Sequence, residues 1–220
     1  AKAGCGTVPI CDGRAEGESV LPARLSQSGG TDPNGKCEGV EVLSGLKQLH
    51  TLSLWLSAPV SWDNVSLPGL RVLHLRGEKN GDITPLLTSI TYLHLEEMRK
   101  TEDLAPFPDS SAPGFEIYLQ SLPAVQELPA LDGLPSLYAL KLYELHKLSD
   151  LSALSHSHLR YFAASLIGDK LSAQALADAV LAIPGLEAAA LQLVDRSGRR
   201  YGSIQKPCRR WEIRIAAGGN

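Results

Sequence analysis

Aromatic side chains are scarce in this chain. Its 220 residues hold three Phe, three Trp and six Tyr. Leu and Ala must therefore fill the core. Long apolar runs are also missing. None approaches the roughly 18 residues that a membrane-spanning helix needs, so no transmembrane segment is expected. The motifs that announce catalysis are absent too. There is no Gly-x-Ser-x-Gly elbow, no Gly-rich phosphate loop and no His-Glu-x-x-His zinc helix. Cofactor use and enzymatic activity are accordingly not expected. Excess positive charge is lacking as well. The net charge of −3 argues against nucleic acid as a partner for the whole chain.

The charge is unevenly spread. Between Asp195 and Arg214 there are seven basic and two acidic residues, so this end carries +5 and the rest −8. A basic end can touch a phosphate surface or an acidic partner, or it can be a solvated cap. The four cysteines are Cys5, Cys11, Cys37 and Cys208, and none stands in the long middle of the chain. No Cys-x-x-Cys pair exists, which argues against a structural zinc site. Cysteines gathered at the ends suggest an oxidising, extracytoplasmic compartment: periplasm, outer envelope or secreted.

The middle of the chain repeats. Leu46-Leu49-Leu52-Leu54, Leu67-Leu70-Leu73-Leu75 and Leu87-Ile90-Leu93-Leu95 share one spacing. Leu134-Leu137-Leu140-Leu142 is a fourth copy, and Ile183-Leu186-Ala189-Leu191 a degenerate fifth. Phe115–Leu119 and Leu159–Ala163 supply further strands in the gaps. A second motif recurs between them: Asp82-Ile83-Thr84-Pro85-Leu86, Asp103-Leu104-Ala105-Pro106-Phe107, Glu127-Leu128-Pro129-Ala130-Leu131 and Asp150-Leu151-Ser152-Ala153-Leu154, with Glu41–Leu46 as a looser copy. Leu-x-Leu turns alternate side chains to one face of a short strand. The acidic, Pro-containing segment suits a short 3-10 turn on the return. One such repeat cannot bury its own face, but a stack shares a continuous core.

These two motifs together resemble the leucine-rich-repeat family, in its short internalin-like form of about 22 residues. The resemblance covers roughly residues 40–195 and implies a bacterial source. It implies an α/β solenoid with short parallel strands on the concave face, 3-10 or irregular turns, and one helix on the convex face. The family places Asn or Cys three residues after the last strand Leu. Here those positions hold Ser57, Glu78, Met98 and Leu145, so no side-chain ladder of that kind is expected and irregular turns are.

The expected organisation is one structural domain: an N-terminal cap over residues 1–40, repeats over 41–195 and a C-terminal cap over 196–220. Cys11 with Cys37 is the preferred bridge within the first cap. Seven strands spaced by about 4.8 Å separate the two ends by roughly 30 Å, while a disulfide needs Cα atoms within about 7 Å. Cys208 therefore meets an N-terminal Cys only if the leading segment runs along the solenoid; otherwise Cys5 and Cys208 are free. Ala3-Gly4-Cys5 resembles the end of a lipoprotein signal, though Lys2 departs from it. The start at Ala1 reads as a processed or trimmed end. Ser172 to Ile183 has the spacing of an amphipathic helix, capped by Ser172 and stopped by Pro184-Gly185. A turn at Ser197-Gly198 and a strand over Trp211–Ile215 are expected to close the chain.

The strand residues turned away from the core form the candidate binding face. They include Thr51, Ser53 and Trp55; Val72, His74 and Arg76; Tyr92, His94 and Glu96. Then come Glu116, Tyr118 and Gln120; Ala139, Lys141 and Tyr143; and Arg160 with Phe162. Aromatics and Arg are enriched in interface cores, so Trp55, His74, Arg76, Tyr92, His94, Glu96, Tyr118, Lys141, Tyr143 and Phe162 are the candidate contact residues. The plain alternative is a set of good strand formers on a sheet. His74 and His94, in adjacent strands with Glu96 nearby, have metal-ligand chemistry, but a well-placed third ligand is not evident and stacked surface histidines are expected instead. The residues point to a module that binds another protein. Carbohydrate or cell-wall binding is the alternative.

Overall fold

The computed structural model describes residues 40–56, 60–77, 83–99, 113–167, 171–194 and 200–205, with Thr101, Glu102, Leu104 and Phe107. The four cysteines, the Trp211–Ile215 segment and most of both caps lie outside the described residues.

Among the described residues, eight strands form one sheet in chain order. They are β1 (Thr51–Leu56), β2 (Val72–Gly77), β3 (Tyr92–Glu96), β4 (Phe115–Gln120), β5 (Leu137–Tyr143), β6 (Tyr161–Ser165), β7 (Ala188–Val194) and β8 (Arg200–Gln205). The pairs from β1 to β7 are all parallel, and β8 returns antiparallel to β7. Leu54, Leu75, Leu95, Leu119, Leu142 and Ala164 stand side by side across six strands, at spacings of 21, 20, 24, 23 and 22 residues. The architecture is a parallel solenoid with a repeat of about 22 residues, short strands, 3-10 turns and, among the described residues, one short helix. This is the fold class expected from the repeats.

The strands form because each offers two inward apolar positions. Leu73, Leu93, Ile117, Leu140, Phe162 and Ala189 make one lateral column, and Leu75, Leu95, Leu119, Leu142, Ala164 and Leu191 the next. All twelve are buried. The side chains between them are only half buried on β2, β3 and β4, the alternation of a one-faced sheet. Parallel sheets are usually covered on both faces by crossover helices. Here the connections carry Leu70, Ile90, Leu134, Leu159 and Leu186 into one core, and among the described residues no element covers the other sheet face.

The returns follow the local sequence. Thr84–Leu86 and Ser152–His156 are 3-10 turns at two of the acidic motifs, and Val40–Gly45 is a third at the loose copy. Pro85 sits at the start of its turn, where it forfeits no hydrogen bond. Glu127 differs: it is extended and bridges to Asp150 in parallel. Helix α1 (Ala173–Leu181) starts where Ser172 Oγ accepts the Ala175 N–H at 3.0 Å, and it buries Leu176 and Val180. Gly185 then takes φ +70.

Of the positions expected to lack an Asn ladder, Met98 and Leu145 hold apolar side chains, as does Leu122 at the same place after β4, while Ser57 and Glu78 lie outside the described residues. Met98, Leu122 and Leu145 follow their strands at equal distance and are buried. Each is preceded by a left-handed residue: Glu97 (φ 54), Ser121 (φ 53) and Glu144 (φ 57), with Leu166 (φ 55) at the next turn. The left-handed backbone keeps the lateral bonding going. Glu97 N–H donates to Gln120 O, Ser121 N–H to Tyr143 O and Glu144 N–H to Ser165 O, at 2.9–3.1 Å. A repeated backbone conformation thus does the work that a side-chain ladder would do.

Candidate functional site

The open face of β2 to β5 gathers most of the predicted contact residues. His74 pairs with His94 in the strand register, and His94 with Tyr118. Their rings stack: 4.2 Å and 7° between His74 and His94, then 4.4 Å and 11° between His94 and Tyr118. Parallel strands lie about 4.8 Å apart, so strand spacing itself brings these rings into contact. The ring planes therefore stand across the inter-strand direction. His94 has a ring on each face, and His74 and Tyr118 each have one face covered by it. Tyr92 meets His94 edge-on at 6.4 Å and 74°.

Polar groups fix the ring edges. His74 Nε2 lies 2.9 Å from Glu96 Oε2, and its Nδ1 lies 3.3 Å from Ser53 Oγ. His94 Nε2 lies 3.2 Å from Gln120 Oε1. Burial between two rings, with the neighbouring His74 second, lowers the His94 pKa to about 4; Glu96 and Gln120 oppose this only in part. His94 is thus neutral at physiological pH. Burial raises the Tyr118 phenol, and it raises that of Tyr92 against the pull of Lys141.

Ion pairs flank the stack. Arg76 donates from Nε and Nη2 to the two carboxylate oxygens of Glu97 at 2.9 and 2.6 Å. This bidentate bond raises the guanidinium pKa and lowers that of Glu97. The same guanidinium lies 4.3 Å from the ring centroid of Trp55, a cation–π contact on a side chain that is 60% exposed. On the other flank Lys141 Nζ donates to Glu116 at 2.8 Å, which raises its pKa, and stands 5.9 Å from the Tyr92 ring. Tyr143 shares this face, between Gln120 and Ser165 in register.

Phe162 does not belong to this face. It pairs with Leu140 and Ala189 and is fully buried. The strand runs one residue out of step with the expectation, and a one-residue slip exchanges every inward and outward side chain. Tyr161 takes the outward place beside Ala139. Ala139 does face outward, but it is buried at 1% exposure. Its methyl is overtopped by its larger lateral neighbours Glu116 and Tyr161. Cys11 and Cys37 lie outside the described residues.

Four contributors escaped the sequence reading. Glu97 and Glu144 occupy left-handed turn positions just past the strands, and Glu144 accepts from Ser121 Oγ at 2.6 Å. The strand alternation predicts no side for a residue beyond the strand. Tyr161 was legible from Phe162-x-Ala164, which lies 22 residues from Leu140-x-Leu142. Tyr138, 45% exposed at the start of β5, carries no periodic signal. A shallow apolar depression lies between α1 and the Ser152–His156 turn, and no titratable side chain lines it. No described helix is long and apolar enough to cross a membrane.

Compared with known proteins, the chain matches no family model, no curated protein and no solved structure.

Proposed function

We propose that this chain is a leucine-rich-repeat module that binds another protein through the open face of β2 to β5. The observation that carries the reading is the His74–His94–Tyr118 stack with its flanking pairs. Three rings are held in fixed orientation on β2 to β4, on a face that no described element covers. Tyr and His edges offer donors and acceptors on rigid side chains, which form contacts at low entropic cost. Glycan stacking wants open ring faces, and here the central faces cover one another. The face and its turns hold Arg76, Arg99 and Lys141 against Glu96, Glu97, Glu116 and Glu144, so no excess of positive charge favours nucleic acid. The short repeat and its acidic 3-10 returns support the family assignment. An extracytoplasmic setting rests on the end cysteines.

The test is affinity capture from source-cell extract with wild type beside a Tyr92/Tyr118/Tyr143→Ala variant confirmed to fold. A stoichiometric protein retained by wild type and lost by the variant is the expected result. Glycan binding with no protein retained would replace this reading with a carbohydrate-binding one.

A further inference from the structure

The middle of the open face holds two imidazoles and a carboxylate within reach of one another. One ring nitrogen of His74, one of His94 and a carboxylate oxygen of Glu96 all lie within 4.8 Å of each other. Among the described residues, no other group of three or more such side chains is placed this way. We propose that His74, His94 and Glu96 form a site for a divalent transition ion of the zinc type. This goes beyond protein binding and does not depend on it.

The donor set has the right chemistry. Two imidazoles and one carboxylate suit zinc, nickel or copper and not the hard, oxygen-seeking cations. The geometry needs little adjustment. Tetrahedral bonds of about 2.0–2.1 Å put ligand atoms about 3.3 Å apart, so donors now within 4.8 Å of one another close by up to about 1.5 Å. Two stacked rings have parallel in-plane lone pairs, and this closure must also tilt them toward a common point. All three side chains are half buried, and the tilt must come from rotation about their side-chain bonds, against the stacking on Tyr118. The positions come from register: His74 and His94 are direct neighbours, and Glu96 follows His94 by two on the same face. A supporting contact is already in place. Ser53 Oγ at 3.3 Å can accept the Nδ1 proton of His74, leaving Nε2, now 2.9 Å from Glu96, to bind the ion. Three protein donors leave a fourth position of the tetrahedron, which opens from the sheet to solvent.

The test is zinc binding to the full chain by equilibrium dialysis at neutral pH, with His74→Gln/His94→Gln alongside. The cysteines and other histidines can also take zinc, so the difference between the two proteins is what counts. The expected result is one more equivalent bound by wild type. Cobalt(II) substituted into that extra equivalent should show tetrahedral visible bands without a thiolate charge-transfer band. Glu96→Gln, which keeps both imidazoles, should bind at least about tenfold more weakly, on the scale of lost metal-site contacts. Equal zinc stoichiometry in wild type and double variant would overturn the proposal. So would a Glu96→Gln variant that binds zinc as tightly as wild type, or thiolate bands in the extra equivalent.

Discussion

The imidazole of His94 lies flat against the phenol of Tyr118, with centroids 4.4 Å apart and planes 11° from parallel. The contact removes water from one ring face, and His74 removes it from the other. The consequence is a titration. His94 has a folded-state pKa of about 4, against about 6.5 in an unfolded chain. Above both values the ring is neutral in either state and nothing is lost. Between them the unfolded chain binds a proton that the folded chain refuses, so stability falls as pH drops from about 6.5 to about 4. With metal chelated, urea melts at pH 7 and pH 5 should show a smaller acid loss for His94→Gln than for wild type. An NMR titration that finds His94 protonating near pH 6.5 would contradict the burial argument.

The register of β6 yields a sharper contrast between adjacent residues. Phe162→Ala leaves a cavity beside Leu140 and should cost about 3–5 kcal/mol. Tyr161→Ala, on the open face, should cost less than about 1 kcal/mol, as surface changes usually do. Urea denaturation of the two variants measures both. The reverse order would restore the register read from the sequence.

That slip shows what the sequence could reveal. Six of the parallel strands carry Leu, Ile or Phe at alternating places against polar neighbours, or continue a Leu column at fixed spacing, so burial has only one solution. In β6 the residues Tyr161, Phe162, Ala163 and Ala164 are compatible with either face by alternation alone, and only the 22-residue spacing from Leu140 and Leu142 turns Phe162 and Ala164 inward. Their place is set laterally, by the columns of β5 and β7. The ring stack was half legible: register put His74 beside His94, but Gln120, Ser53 and the ring tilt are matters of side-chain packing. The left-handed turns were hidden because Glu97, Ser121, Glu144 and Leu166 are not residues that announce such a conformation. Strand β8, Arg-Tyr-Gly-Ser-Ile-Gln, has neither Leu spacing nor strict alternation, and only its pairing with β7 defines it.

Leu166 tests whether those turns are held under strain. A left-handed non-glycine residue costs about 1 kcal/mol or more, and a β-branched one more still. Leu166→Gly should therefore be at least as stable as wild type, with a gain of up to about 1 kcal/mol after the lost side-chain contact and the entropy of glycine are counted. Leu166→Val should be less stable than either. Thermal melts of the three proteins give the order. A valine variant as stable as the glycine variant would show that the left-handed turn is not a constraint on this residue.

Gly77 ends β2 where the same logic becomes absolute. Its φ is +144, and a Cβ built there would overlap the carbonyl oxygen of Leu56, its register partner in β1. The contacting atoms are backbone, so no side-chain rotation relieves them. Gly77→Ala must either push the end of β1 away or distort the turn. Both loosen Leu52 and Leu56, which β1 buries. The expected loss exceeds about 2 kcal/mol, since steric overlap adds to backbone strain of about 1–3 kcal/mol. Hydrogen exchange should localise it, with β1 amides losing protection while those of β4 and β5 keep theirs. That pattern is the natural one for a solenoid, in which each strand is secured by its immediate neighbours. A uniform loss of protection across the sheet would mean instead that the repeats unfold as one cooperative unit.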